Sequence, residues 1–216
     1  MPAERELRIV EDVAGAGSAL FLAERPRTVV LSGGSTPRAL YERLAGADYP
    51  WTSVECFFGD ERCVPPDDDR ANYRMAHEAL LSRVPVRVHP VDGARCDADG
   101  YERTLRERFD EALRFDLAIY GLGPDGHTAS LFPGRPEVDE ADRWVVTVPE
   151  AGLEPFVPRV SMTVPALSSV ALGVFLVAGS DKRDALGRLL GGDDIPAARL
   201  RPERLVILAD RDAAPG

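Results

Sequence analysis

Short apolar or β-branched runs alternate with helix-like stretches along almost the whole chain. The runs Thr28–Leu31, Val54–Gly59, Val86–His89, Phe115–Gly121, Trp144–Val148, Ala171–Ala178 and Leu205–Ala209 read as strands. Between them Glu11–Glu24, Pro37–Ala45, Asn72–Ser82, Asp97–Leu113 and Asp181–Leu190 read as helices. This alternation predicts an α/β fold: a mostly parallel sheet with helices on both faces, Rossmann-like, in a single domain over residues 1–216. Ligands of such sheets bind outside the carboxyl ends of the strands, so the loops there are where chemistry is expected. Pro149–Pro158 reads as a surface excursion between two strands, and no repeat, low-complexity tract or interior linker divides the chain.

Composition narrows the partners. A single-domain chain of 216 residues, 44% hydrophobic and 29% charged, can bury a core without staples. No apolar run approaches the ~18 residues of a membrane span. The opening MPAERELRIVEDV has no apolar core with a cleavage site, so no signal peptide is expected and the predicted location is cytoplasmic. Cys56, Cys63 and Cys96 are odd in number and lack C-x-x-C spacing, which predicts reduced thiols rather than a disulfide framework or a zinc site. A formal charge of −10 disfavours nucleic acid and anionic membranes as partners. Nothing implies an obligate protein partner. A small anionic substrate requires a site that concentrates its own positive charge.

Four segments carry candidate chemistry. Leu31-Ser-Gly-Gly-Ser-Thr-Pro37 joins a strand to a helix; Gly33 and Gly34 permit a sharp turn, Thr36 is a candidate cap and Pro37 suits the first helical turn. Free amides at a helix start, with the hydroxyls of Ser35 and Thr36, suit a phosphate, although Gly-Lys-Ser/Thr of a P-loop is absent. Phe58-Gly-Asp-Glu-Arg-Cys-Val-Pro65 offers Asp60, Glu61 and Arg62 either to a ligand or to one another. The following Asp67–Asp69 run lacks the glycine and ligand positions of a calcium loop, so no metal is expected. Tyr120-Gly-Leu-Gly-Pro-Asp-Gly-His-Thr-Ala-Ser-Leu-Phe-Pro-Gly134 satisfies G-x-G-x-x-G, yet Pro133 stops any helix within two turns, which argues against a dinucleotide site. What remains is a glycine-lined loop holding Asp125 and His127, where a histidine has little core to fill. Finally, Arg159 follows Pro158, and Lys182 in Gly179-Ser-Asp-Lys-Arg183 is the only lysine among 26 basic residues. A compact ammonium in a chain that otherwise writes arginine suits a phosphate site.

In order along the chain, SGGSTP, DERxVP, GxGxDGHTASLFPG and the PR…GxDK pair resemble the 6-phosphogluconolactonases, and in outline the wider group that includes glucosamine-6-phosphate deaminases. The resemblance runs from about Thr28 to the closing Leu205–Asp210 strand. It implies that Gly33, Gly34, Ser35, Thr36 and Lys182 hold a phosphate, that Arg159 contributes to the same anionic end, and that Asp60, Asp125 and His127 surround the reacting ring. The implied substrate is a phosphorylated sugar lactone, 6-phosphogluconolactone of the oxidative pentose phosphate pathway, with no cofactor. Two departures stand out: Ala71 occupies a position where the family commonly has Ser, and the region before Thr28 is short, which leaves the first strand and helix open.

Lactone hydrolysis needs an activated water, a stabilised oxyanion and a proton for the leaving ring oxygen. His127 is expected to take and return the proton, with Asp125 or Asp60 orienting the imidazole; Arg62 or backbone amides of the Gly121–Gly126 loop are the oxyanion candidates. Two rivals remain. Amino-sugar-phosphate isomerase/deaminases resemble this chain around Asp-Gly-His but place a glutamate where Phe132 stands, and a non-catalytic sugar-phosphate sensor would need the anion site without His127.

Overall fold

Seven parallel strands run in the order β1 (Glu4–Ile9), β10 (Arg204–Ala209), β9 (Val170–Val177), β6 (Phe115–Gly121), β2 (Thr28–Leu31), β3 (Glu55–Phe58) and β5 (Arg87–Val88) in the computed structural model, which describes residues 4–110 and 112–215. The central strands are buried on both faces, as expected of near-continuous apolar runs: every residue of β2 is buried, and so are seven of the eight in β9. Strand side chains alternate between faces, so Leu176 and Phe175 point opposite ways. Helix α1 (Val13–Glu24) lies on the Leu176 side, where Gly17 leaves room for Leu40, Leu176 and Leu208. On the Phe175 side Tyr120 donates a hydrogen bond to the Leu167 carbonyl of α5 (Val164–Ser168). The sheet therefore carries helices on both faces.

Strand β1 is an edge strand that the sequence pattern does not disclose, because Glu and Arg alternate with Leu7 and Ile9, which are themselves partly exposed. Helix α2 (Ser35–Leu44) begins two residues earlier than its pattern suggests, and Gly34 rather than Thr36 occupies the cap position, with no side-chain cap. Asn72–Ser82 divides into α3 (Asn72–Ala76) and one π-helical turn (His77–Leu81). Helix α4 (Ala98–Phe109) is capped by Asp97, whose carboxylate accepts from Gly100 N at 2.8 Å; residue 111 of its expected span lies outside the described residues. A 3₁₀ turn over Ser180–Lys182 leads into α6 (Arg183–Gly191), and α7 (Pro196–Arg199) precedes β10.

A second sheet, small and antiparallel, lies beyond the end of β3. It orders β4 (Asp60–Arg62), β8 (Arg159–Met162) and β7 (Val145–Val148), so the Trp144–Val148 run belongs here and not to the parallel sheet. The excursion between β7 and β8 packs its start on Phe132, which forms a small apolar cluster with Val146 and Val148. The expectation of reduced thiols needs correcting: Cys63, just past β4, is bonded to Cys96, just before α4, across a Cα separation of 4.8 Å. Spacing in sequence is silent on this pair because the meeting depends on how the 91–97 turn folds back; Gly93 there sits so close to the carbonyls of Arg62 and Val64 that a Cβ would fall 2.6–2.7 Å from them. Cys56 is free, and burial pushes its thiol up to about 12.

Candidate active site

Three loops at the carboxyl edge of the large sheet, together with β4 and β8, surround one cleft of about 260 Å³. Nine of the ten residues singled out in the sequence line it; the tenth, Asp125, stands behind His127.

The turn after β2 is clamped from inside α2. Tyr41 Oη accepts from Ser32 N at 2.9 Å and donates to Ser32 O at 3.0 Å. Gly34 has φ 111°, a conformation that favours glycine, and it delivers the chain into α2 with the first-turn amides uncapped. Ser35 and Thr36 thus line the cleft beside a helix N-terminus. Lys182 reaches the same cleft from the turn after β9, its Nζ 3.0 Å from Asp181.

Beyond β3 the antiparallel register sets Arg62 opposite Arg159 and Asp60 opposite Ser161. Burial pushes the Arg159 guanidinium below its ordinary range; the negative charge of Asp60 opposes this, and the neighbouring Arg62 adds to it. Arg159 donates to the carbonyls of Leu153, Pro155 and Val157, so it also holds the 149–158 excursion against the cleft. Arg62 donates from Nη1 to Arg70 O at 2.6 Å, while its buried Nε has no partner within the protein. The acids of β4 do not pair with Arg62 side chain to side chain. Asp60 accepts from Ser130 Oγ at 2.6 Å and from Asn72 Nδ2 at 3.2 Å. Glu61 is buried and accepts three main-chain bonds, from Arg62, Asn72 and Tyr73 N. Desolvation raises the Glu61 carboxyl, and those three N–H groups pull it back only in part.

After β6 the chain folds on itself so tightly that two amides are consumed locally: Gly123 N donates to His127 O and Gly126 N to Gly123 O, both at 2.9 Å. This removes both from the oxyanion candidates. His127 Nδ1 lies 2.6 Å from Asp125 Oδ1, which also accepts from His127 N at 3.1 Å. Burial works to raise the Asp125 carboxyl, but the imidazole and main-chain N–H of His127 outweigh it and hold it below the usual aspartate range. Gly123 makes room for the ring: a Cβ there would fall 1.9 Å from Nδ1. Phe132 supports the imidazole from 4.8 Å, centroid to centroid. Asp125, not Asp60, is therefore the carboxylate in contact with His127. Asn72, Ser130 and Leu153 were missed in sequence; Ser130 lies within the motif that carries His127, but nothing in its spacing marks it. Among the described residues no cluster of His, Cys, Asp and Glu is placed to hold a metal ion.

The family model of glucosamine-6-phosphate isomerases/6-phosphogluconolactonase matches residues 3–208. The chain belongs to this family. Within it, the chain is 39% identical over 209 residues to 6-phosphogluconolactonase of Synechocystis sp., covering 89% of this chain and 85% of that one. It is 40% identical over 179 residues to the Thermotoga maritima 6-phosphogluconolactonase, covering 80% and 79%. The crystal structure of 6-phosphogluconolactonase from Thermotoga maritima superposes with a TM-score of 0.88 at 33% identity, over 96% of this chain and all of that one. A monomeric glucosamine-6-phosphate deaminase shares the fold, with a TM-score of 0.81 at 18% identity.

Proposed function

We propose that the protein hydrolyses 6-phosphogluconolactone to 6-phosphogluconate, with the imidazole of His127 as the group that moves the proton. The observation that carries this reading is the 2.6 Å contact between His127 Nδ1 and Asp125, in a cleft shared with an uncapped helix N-terminus and Lys182. With Nδ1–H donated to Asp125, the lone pair of Nε2 is left to accept a proton from water. The water oxygen attacks the lactone carbonyl as its proton passes to Nε2. Arg62, whose side chain lines the cleft, stabilises the oxyanion. The tetrahedral intermediate then collapses, the ring C–O bond breaks, and the imidazolium returns the proton to the departing oxygen. Gly33, Gly34, Ser35, Thr36 and Lys182 bind the phosphate, and Arg159 supports that anionic group while anchoring the 149–158 excursion. No cofactor takes part.

A hydrolase is favoured over an amino-sugar deaminase because Phe132, apolar and buried against the imidazole, stands where that chemistry places its acid. A sensor without turnover would have no use for the aligned His127–Asp125 pair. Operation in the cytoplasm belongs to the same proposal; among the described residues no helix is long and apolar enough to cross a membrane, although the Cys63–Cys96 bond is uncommon in that compartment. Acid release from freshly prepared 6-phosphogluconolactone is the test. The purified protein is expected to exceed the spontaneous rate in the same buffer and to release no ammonia from glucosamine 6-phosphate; the reverse pattern would reject the reading.

A further inference from the structure

We propose that Asn72 is a positioning residue that ties the turn preceding α2 to Asp60, so that the separation between the phosphate-binding backbone and the acid beside the reacting ring is fixed; this rests on the hydrolytic reading above.

Consecutive residues of an extended strand project to opposite sides, so Asp60 and Glu61 ordinarily share no partner. Asn72 reaches both. Its main-chain N–H donates to Glu61 Oε1 at 2.7 Å, which places the first residue of α3 against β4. Its side-chain Nδ2 donates to Asp60 O at 2.9 Å and to Asp60 Oδ1 at 3.2 Å. The amide is buried, with 2% of the residue exposed, so these bonds are not diluted by solvent.

The other half of the amide faces the phosphate turn. A Cβ on Gly33 would fall 2.0 Å from Asn72 Oδ1 and 2.7 Å from its Cγ. Gly33 is not among the positive-φ glycines, so its backbone does not require glycine; the space its side chain would fill is taken by Asn72. On the far side, Asp60 Oδ2 accepts from Ser130 Oγ at 2.6 Å, three residues after His127 in the same loop. A continuous set of contacts thus runs from Gly33 through Asn72 and Asp60 to the segment that carries the imidazole. Binding energy gained at the phosphate accelerates the reaction only if the reacting groups are held in register with it, and a displacement of about 1 Å can cost on the order of 10²-fold.

The test is a double-mutant cycle on Gly33 and Asn72, with folded fraction set by circular dichroism and thermal melts. Asn72→Ala is expected to lower kcat per folded molecule by roughly 10–100-fold while KM for the phosphorylated lactone moves little. Gly33→Ala should lower kcat too, because its methyl group drives Asn72 off Asp60. In the double variant that methyl occupies vacated space, so the loss should equal that of Asn72→Ala alone and not the product of the two. Asn72→Asp keeps the shape but turns the donor into an acceptor facing Asp60, and should lose at least as much as Asn72→Ala. The cycle is also read without turnover, by calorimetric titration with 6-phosphogluconate: Gly33→Ala should weaken binding in the native background and not in Asn72→Ala. A native protein that leaves the lactone untouched rejects the functional reading, and the titration cycle then judges the coupling by itself. Multiplicative losses, an unchanged kcat in Asn72→Ala, or equal weakening by Gly33→Ala in both backgrounds would overturn the role of Asn72.

Discussion

At the scale of single residues the cleft depends on close approaches that leave no slack. His127 sits where a Cβ on Gly123 would be, is held at Nδ1 by Asp125 and rests on Phe132. An asparagine at 127 keeps similar volume but cannot shuttle a proton, so His127→Asn should reduce lactone hydrolysis on the order of 10²–10⁴-fold, with 6-phosphogluconate affinity close to native. Steady-state kinetics with product-inhibition constants checks both halves; near-native turnover removes His127 from the mechanism. The pair is legible in sequence because its members are two residues apart, in a loop whose glycines leave them few alternatives. Asp60 was equally conspicuous, yet its partners were not, since Ser130 and Asn72 are brought to it by other parts of the chain.

At the scale of elements, β4 and α3 form one unit through Glu61. Three main-chain N–H groups converge on its carboxylate inside the protein. A glutamine offers one carbonyl oxygen and turns an NH₂ group toward at least one N–H, leaving donors facing each other. Glu61→Gln should therefore cost about 1–3 kcal/mol of stability by urea unfolding. Stability within about 0.5 kcal/mol of native would show that water or a shifted backbone replaces the bonds, the range usual for surface substitutions. Most of the large-sheet strands and the helices between them could be read from the chain, because burial on both faces demands unbroken apolar runs. The three residues of β4 escaped, since Asp, Glu and Arg resemble solvated polar sequence until the register with β8 buries Asp60 and Glu61.

At the scale of the whole molecule, acid groups tie distant elements together. Glu55 of β3 bridges His89 at 2.8 Å and Arg108 of α4, and Glu102 of α4 bridges Arg106 and Arg143. Burial tends to raise both carboxyls, but the bonds to Arg108 and His89 in one case, and to Arg106 and Arg143 in the other, leave both below the ordinary glutamate range. A carboxyl depressed in the folded state stabilises above its unfolded value, about 4.3, and that contribution is lost as pH falls through the lower folded value. Urea midpoints should accordingly drop on acidification from about pH 5 to pH 3, and less steeply in the Glu55→Gln/Glu102→Gln double variant. Parallel acid limbs in the two proteins would assign the pH response to other groups.

The sequence alone determined what local physics controls: apolar runs that must be strands buried on both faces, a glycine-rich turn that opens a helix, and a histidine two residues from its carboxylate. Only the tertiary structure decided that Arg62 faces Arg159, that Asp60 is bound to Ser130 and Asn72 and not to His127, and that Cys63 meets Cys96. These partners are separated by 12 residues for Asp60 and Asn72, 33 for the two cysteines, and 70 for Asp60 and Ser130. Their meeting is set by strand register and by the way loops fold back over a sheet edge, and hydrophobic periodicity carries no record of either.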